Sequence, residues 1–291
     1  MMKEAKQYER IAAFFDLDGT LMPLPSLERR FFRVLRYRQE IPVKNYLAWL
    51  KEAVRLMPLG INAVAHWNKM YLKGVKSFAE SDGENRSDSS GHKSGHPSEL
   101  RASQAGGQAS VDSSFVPQRR TRRNPRLPVP HFLTDGVERV AWHARQGHAI
   151  VLVTGTLEPL ASAAALALVL RLAMNGITSS IGVRATRLEE VDGMWTGRVL
   201  GEAMFGEAKA QAVNELAKDM QLDLSRCYAY GDRANDRWLL AAVGKPAAVN
   251  PSRKLARIAR EQGWPVLHWQ EEGNQQSRED QKHLRHAERW I

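Results

Sequence analysis

The apolar run Ile11-Ala12-Ala13-Phe14-Phe15 stops on Asp16-Leu17-Asp18-Gly19-Thr20, and this change constrains the fold more than any other feature of the sequence. Five apolar residues without alternation make a strand covered on both faces, as in a parallel sheet flanked by helices. In open sheets of that kind ligands bind beyond the carboxyl ends of the strands. Two carboxylates two residues apart at such an end are therefore placed for chemistry; the plainer alternative is an acidic turn ended by glycine.

Other segments repeat the arrangement. Ala149-Ile150-Val151-Leu152-Val153 runs into Thr154-Gly155-Thr156, and Cys227-Tyr228-Ala229-Tyr230 runs into Gly231-Asp232-Arg233-Ala234-Asn235-Asp236. Pro246-Ala247-Ala248-Val249 reads as a further strand. Helices separate these strands. Asp135 is placed to cap 136–146, with Glu138 three residues on and Gly147 as the stop. Val213, Leu216, Ala217 and Met220 line one face of 207–220, with Lys209 at its start, and Ser252 opens a helix that Gly263 closes. Strand and helix in alternation argue for an α/β fold on a parallel sheet. Residues 186–199 differ, reading as a hairpin turned at Asp192-Gly193.

The stretch between the first two strands is of another kind. Leu27, Phe31, Val34 and Leu35 recur at helical spacing opposite Arg29, Arg30, Arg33 and Arg36, and Tyr46, Leu47, Leu50, Val54 and Met57 repeat the pattern. Residues 26–80 read as a small helical bundle with Phe31, Phe32, Tyr46, Trp49, Trp67 and Tyr71 in its core; an apolar substrate or lipid-facing wall is the alternative. Residues 81–110 hold eight Ser, five Gly and Pro97, too little apolar surface to offset the entropy of ordering them. With the Arg- and Pro-rich stretch that follows, 81–130 reads as one disordered insert. The formal charge of +10 resides in these segments: residues 22–80 carry 11 Lys and Arg against 4 Asp and Glu, and residues 81–130 carry 8 against 5. The Arg119 to Arg126 cluster reads as a solvated tether.

One cysteine, Cys227, excludes an internal disulfide and a cysteine zinc site, and reads as strand packing. The first residues lack the apolar run of a secretion leader, and Leu160 to Leu170 is too short to span a bilayer, so the expected location is the cytoplasm.

Taken in order, Asp16-Leu17-Asp18-Gly19-Thr20, Thr154, Lys209 and Gly231-Asp232 with Asp236 resemble the haloacid dehalogenase-like superfamily, whose signature is DxDGT, a Ser or Thr after a strand, a Lys, then GDxxxD. Tyr230-Gly231-Asp232, the exit Ala248-Val249-Asn250-Pro251 and Gly263-Trp264-Pro265-Val266 look like its phosphoserine-phosphatase-like subfamily IB. The resemblance implies a Rossmannoid core from 1–21 and 131–270 and a C1-type helical cap, 22–80, inserted after the first strand. The insert 81–130 and a charged tail, 271–291, complete the expected organisation. It further implies a Mg²⁺-dependent phosphatase that cleaves a phosphate monoester through an aspartyl-phosphate. Asp16 is the implied nucleophile and Asp18 the general acid and base. Thr154, Gly155 and Lys209 hold the phosphoryl group, and Asp16, the Asp18 main chain and Asp232 hold the metal, with Asp236 behind them. A dianionic ester resists a carboxylate nucleophile unless charge between them is neutralised, which is why a cation and a lysine accompany the aspartates.

Phosphoserine phosphatases carry a glutamate nine residues after the nucleophile to hold the substrate amine. Pro25 stands there, and Glu28 falls three residues later. The expected substrate is therefore a small or amphiphilic organic phosphate other than phosphoserine. Arg233 stands where the subfamily commonly has Ser or Gly and reads as outward-facing or structural, the alternative being a guanidinium that binds an extra anionic group. The basic cap suits weak contact with an acidic membrane surface, and no nucleic-acid partner is expected. The alternative is a low-turnover regulatory or binding protein on the same scaffold, using its basic cap and insert to hold an anionic partner or membrane surface.

Overall fold

The computed structural model of the 291-residue chain describes residues 10–77 and 127–270. The expected disordered insert falls almost wholly, and the charged tail wholly, outside the described residues. Strand β1, Ala12–Phe15, leads into helices α1, Leu27–Tyr37, α2, Val43–Leu56, and α3, Ile61–Trp67. Helix α4, Thr134–Arg145, then precedes β2, Ala149–Leu157, α5, Glu158–Met174, and β3, Ile181–Thr186. A hairpin of β4, Leu188–Val191, and β5, Met194–Val199, is followed by α6, Glu207–Met220, and β6, Tyr228–Gly231. Helix α7, Arg237–Ala241, β7, Lys245–Val249, α8, Arg253–Gln262, and β8, Val266–Leu267, end the series.

Six strands form one parallel sheet in the order β3-β2-β1-β6-β7-β8. The chain winds from β1 to one edge and then restarts on the other side of β1. The order therefore reverses between β1 and β6, and a crevice opens there beyond the strand ends. The non-alternating composition of β1 is explained by what covers it. Ala13 and Phe15 enter one buried cluster with Ile150, Leu152, Leu160 and Leu168, while Ala12 and Phe14 enter another with Val151, Val213, Leu239 and Leu255. Cys227 is buried and its Sγ accepts the Ala12 amide at 3.2 Å, a packing role.

Helix α6 spans the residues its periodicity indicates, and Ser252 caps α8 through the Leu255 amide before Gly263 ends it in a left-handed conformation. Helix α4 starts two residues earlier than expected: Leu133 is its N-cap residue, and Asp135 instead accepts the Gln270 amide at 2.8 Å. Strand β3 and helix α5 were not distinguishable in sequence from loop and generic apolar run. The apolar face of α5, Leu160, Ala164, Leu168 and Leu172, packs in the core. No described helix is long and apolar enough to cross a membrane.

The segment after β1 departs from the expected bundle. In α1 the face Leu27, Phe31 and Leu35 is buried, and Phe31 meets Trp195 of β5 edge to face. In α2, however, the buried residues are Asn45, Ala53 and Leu56, whereas Val43, Leu47, Leu50, Val54 and Met57 are exposed. Tyr46, Trp49 and Trp67 are also exposed, so they are not the core residues the periodicity suggested. Among the described residues the segment's separate core cluster is Ala53, Leu56 and Val64, while Leu27, Phe31, Leu35, Leu72 and Val75 join the main core. A polar contact chooses the inward face. The Asn45 side chain donates to the Tyr71 and Lys73 carbonyls at 3.1 and 2.7 Å, pinning α2 to the 3-10 turn Met70–Leu72. The chain then leaves along the hairpin, with Gly74 donating to Trp195 and Ser77 to Gly193.

Removing that pin orphans two carbonyls, so Asn45→Ala is expected to lower stability by about 1–3 kcal/mol in denaturant unfolding. A change below about 0.5 kcal/mol would contradict the assignment.

Candidate active site

Asp16 is the first residue past β1, and its amide prolongs the β1–β6 pairing by donating to Tyr230 O at 2.9 Å. The chain then turns tightly, with Met22 N and Leu21 N both bonded to Leu17 O. Gly19 sits in that turn at φ +96°, and a Cβ there would lie 2.2 Å from Asp232 Oδ2. Only glycine lets the first motif press against the Asp232 loop. Gly231 is constrained similarly, since a Cβ on it would fall 2.5 Å from that of Asp236.

Asp18 is held on both sides. Its Oδ1 accepts the Leu27 amide at 2.7 Å and its Oδ2 accepts the Thr156 hydroxyl. Thr154 is buried where β2 loses register with β3, and its Oγ1 accepts the Thr156 amide. Lys209, in the first turn of α6, donates to Asp16 Oδ1 and Asp236 Oδ1 at 2.6 Å each. Asp236 Oδ2 accepts the amides of Asp232 and Arg233. Asp16, Asp18, Thr154, Gly155, Lys209, Asp232 and Asp236 thus line one cavity of about 930 Å³, so all seven residues singled out in sequence come together.

The charges are unbalanced. Carboxylate oxygens of Asp16, Asp232 and Asp236 lie within 4.8 Å of one another, against one buried ammonium. Burial pushes Asp16 up to about 7 despite Lys209 beside it, and burial with repulsion from Asp16 pushes Asp232 up to about 8. Burial also raises Asp18, with the Thr156 bond opposing. For Lys209 burial works against the charge, but Asp16 and Asp236 outweigh it and hold it protonated. An oxygen-lined, over-acidic cluster of this kind fits a hard divalent cation. Asp236 has both oxygens engaged by protein donors, whereas among the described residues Asp232 Oδ2 meets Arg233 alone, at 3.6 Å. Asp16 and Asp232 would therefore be freer to meet such a cation, while Asp236 holds Lys209 and the loop.

The sequence missed several cavity residues. Glu28, set aside as three residues late, lines the wall through the first turn of α1, and its Oε1 accepts from Lys69 Nζ at 2.6 Å and Tyr71 OH at 2.7 Å. Lys69, His66 and Phe205 also line it, and no spacing in the sequence marked them. Phe32, Tyr46, Trp49 and Tyr71 do mark it, in the wall role that stood as the alternative to bundle core. Arg233 is 56% exposed but pairs with Asp232 at the cavity rim, so it does not simply point outward.

A family profile described as haloacid dehalogenase-like hydrolase matches residues 108–241, the span that carries Thr154, Gly155, Lys209, Asp232 and Asp236. Over that span, just under half of the chain, the sequence is that of a haloacid dehalogenase-like hydrolase. Phosphoserine phosphatase SerB1 of Mycobacterium tuberculosis is 40% identical over 133 residues, covering 45% of this chain and 40% of that protein. A histidinol-phosphatase of Neisseria meningitidis is 39% identical over 98 residues, covering 32% of this chain and 43% of that protein. The chain therefore spans about two fifths of the length of these curated relatives. A protein of unknown function from Bordetella pertussis Tohama I, of known crystal structure, shares 27% identity and a TM-score of 0.54, covering 89% of this chain and 98% of that one. The matched stretch is thus similar to that of a protein named as a phosphoserine phosphatase and of one named as a histidinol-phosphatase.

The raised acids give a signed expectation. Asp16 and Asp232 bind protons more tightly folded than at their ordinary value of 3.8, so stability without metal is greatest at low pH and is lost as pH rises through about 7 and about 8. In EDTA the Tm should fall between about pH 5 and about pH 9, and saturating Mg²⁺ should remove most of the fall. A Tm in EDTA that is flat or rises over this range would contradict the charge imbalance.

Proposed function

We propose that the chain is a subfamily IB phosphatase, Mg²⁺-dependent, which hydrolyses an organic phosphate monoester other than phosphoserine through an aspartyl-phosphate on Asp16. The observation that carries the reading is the charge cluster: two acids pushed up by burial, one lysine bridging Asp16 and Asp236, and a third acid, Asp18, poised beside them. Asp16 has Oδ1 oriented by Lys209, which leaves Oδ2 to attack phosphorus. As the phosphorus–oxygen bond to the leaving group breaks, Asp18 gives its proton to the departing alkoxide. Its raised affinity for a proton suits that step. Asp18 then takes a proton from the water that attacks phosphorus, the Asp16–phosphorus bond breaks, and phosphate leaves.

The Thr154 hydroxyl, the Gly155 amide and Lys209 take the phosphoryl oxygens where negative charge gathers. Mg²⁺ held by Asp16, Asp232 and the Asp18 main-chain carbonyl would neutralise charge between nucleophile and ester. The helical segment 22–80 acts as the cap, since its side chains supply much of the cavity wall. Relatives named for phosphoserine and for histidinol phosphate both exist, so likeness alone does not choose the leaving group. Pro25 at the amine-holding position and a cavity of about 930 Å³ argue against phosphoserine.

Weak contact with an acidic membrane belongs to the same proposal. Val43, Leu47, Leu50 and Val54 are exposed on α2, interleaved with exposed Lys44 and Lys51, an apolar and basic face suited to anionic lipid. The lone Cys227, free and buried, suits a reducing cytoplasm.

Phosphate release from a broad ester panel with Mg²⁺ should fall by about 10³-fold or more in Asp16→Asn. Equal release by both proteins would sink the phosphatase and leave the low-turnover binding protein. In sedimentation with vesicles of phosphatidylcholine and phosphatidylglycerol, Leu47→Ser with Leu50→Ser should lose the pelleted fraction. Unchanged pelleting, or none at all with the wild type, would remove the membrane contact.

A further inference from the structure

Away from its acidic floor the cavity changes character. Leu24, Phe32, Tyr46 and Trp49 line it, and Leu24, Tyr46 and Trp49 are at the same time exposed, so they form its rim as well as its wall. The charges on this wall are cancelled or kept at the mouth. Glu28 and Lys69 pair at 2.6 Å. His66 stacks on Phe205 with ring centroids 3.5 Å apart, and burial, with Lys69 nearby, lowers it to about 4, so the imidazole is neutral. Arg29 and Arg233 are exposed, and cations at the mouth do not oppose an anionic ester.

The apolar wall does not stop at the cavity. At about 100° of turn per residue, Asn45, Ala53 and Leu56 share the inward side of α2 and Tyr46 borders it. Leu50, Val43, Val54 and Leu47 then carry the apolar arc round to the outside, where Lys51, Lys44 and Arg55 end it. Tyr46, Leu50 and Val54 follow one another four residues apart, the spacing of side chains that touch along a helix, and exposed Met57 comes three residues later. A strip of apolar side chains thus leads from the cavity out along α2, with the lysines beside it and none across it.

We infer that the leaving group carries a long alkyl chain, whose first carbons lie against Phe32, Tyr46 and Trp49 and whose remainder follows Leu50 and Val54 along the outside of α2. The inference rests on the phosphatase reading and names its substrate class. A compact polar alcohol would leave the strip in water. Each methylene fully covered there instead gains up to about fourfold in affinity.

The test uses butyl, octyl and dodecyl phosphate, each below its micellar concentration, on the full chain with Mg²⁺. The three release alcohols of nearly equal acidity, so a difference between them reports binding along the chain and not the chemical step. In the wild type kcat/KM should rise by about tenfold or more from butyl to dodecyl. Leu50→Ser with Val54→Ser should bring the dodecyl-to-butyl ratio down by about threefold or more, whereas a merely structural strip would slow all three esters alike. An unchanged ratio in that variant overturns the inference, as does a wild-type rate independent of chain length, or turnover of other esters with none of these. Calorimetric binding of the three compounds to Asp16→Asn separates the two readings. If the wild type turns over no ester at all the phosphatase falls, while an affinity that does not grow with chain length overturns the chain assignment by itself.

Discussion

Lys209 reaches from the first turn of α6 to Asp16 and Asp236, at 2.6 Å from each, with almost no exposure to solvent. Such an ammonium is costly to bury without partners, and so are the acids around it. Their mutual pairing is what lets the ends of β1 and β6 approach so closely that glycine is needed at positions 19 and 231. The crevice between β1 and β6 could otherwise fill with apolar side chains. Instead it concentrates charge at the point where strand order reverses.

The helical segment over this crevice is built on the opposite economy. Its separate apolar core is small; the α1 face packs into the main core, and polar contacts pin the rest: Asn45 to the 70–73 turn, and Glu28 to Lys69 and Tyr71. Because those contacts turn α2 with its asparagine inward, the helix shows apolar residues to solvent and brings Tyr46 and Trp49 to the cavity. A polar-pinned cover over a charged floor lets the two be specialised separately, and the proposed function assigns the floor to phosphate and the cover to what carries it.

Much of this was legible in the chain. The DxDGT run, Thr154, Lys209 and the Asp232 to Asp236 loop could be ordered from sequence because each follows a short apolar run or opens a periodic helix, and those local rules survive burial. Helix α6 and the capped α8 were legible for the same reason. Strand β3 was not, because its burial alternates only partly at the sheet edge. The face of α2 was misread because periodicity reports that a helix is two-faced, without reporting which face meets protein.

Glu28 shows where sequence reasoning stops. Counted from Asp16 it is three places beyond a familiar position, yet the turn after Asp18 and the start of α1 carry it to the cavity wall. The sequence by itself determined the parallel α/β class, the order of the acidic, hydroxyl and lysine motifs, and the address of the positive charge, because these depend on neighbours a few residues away. Only the tertiary structure decided which acids repel one another, which lysine is spent on which glutamate, and which cap face looks inward. Those outcomes depend on distances between residues far apart in the chain, and on how far water is excluded from between them.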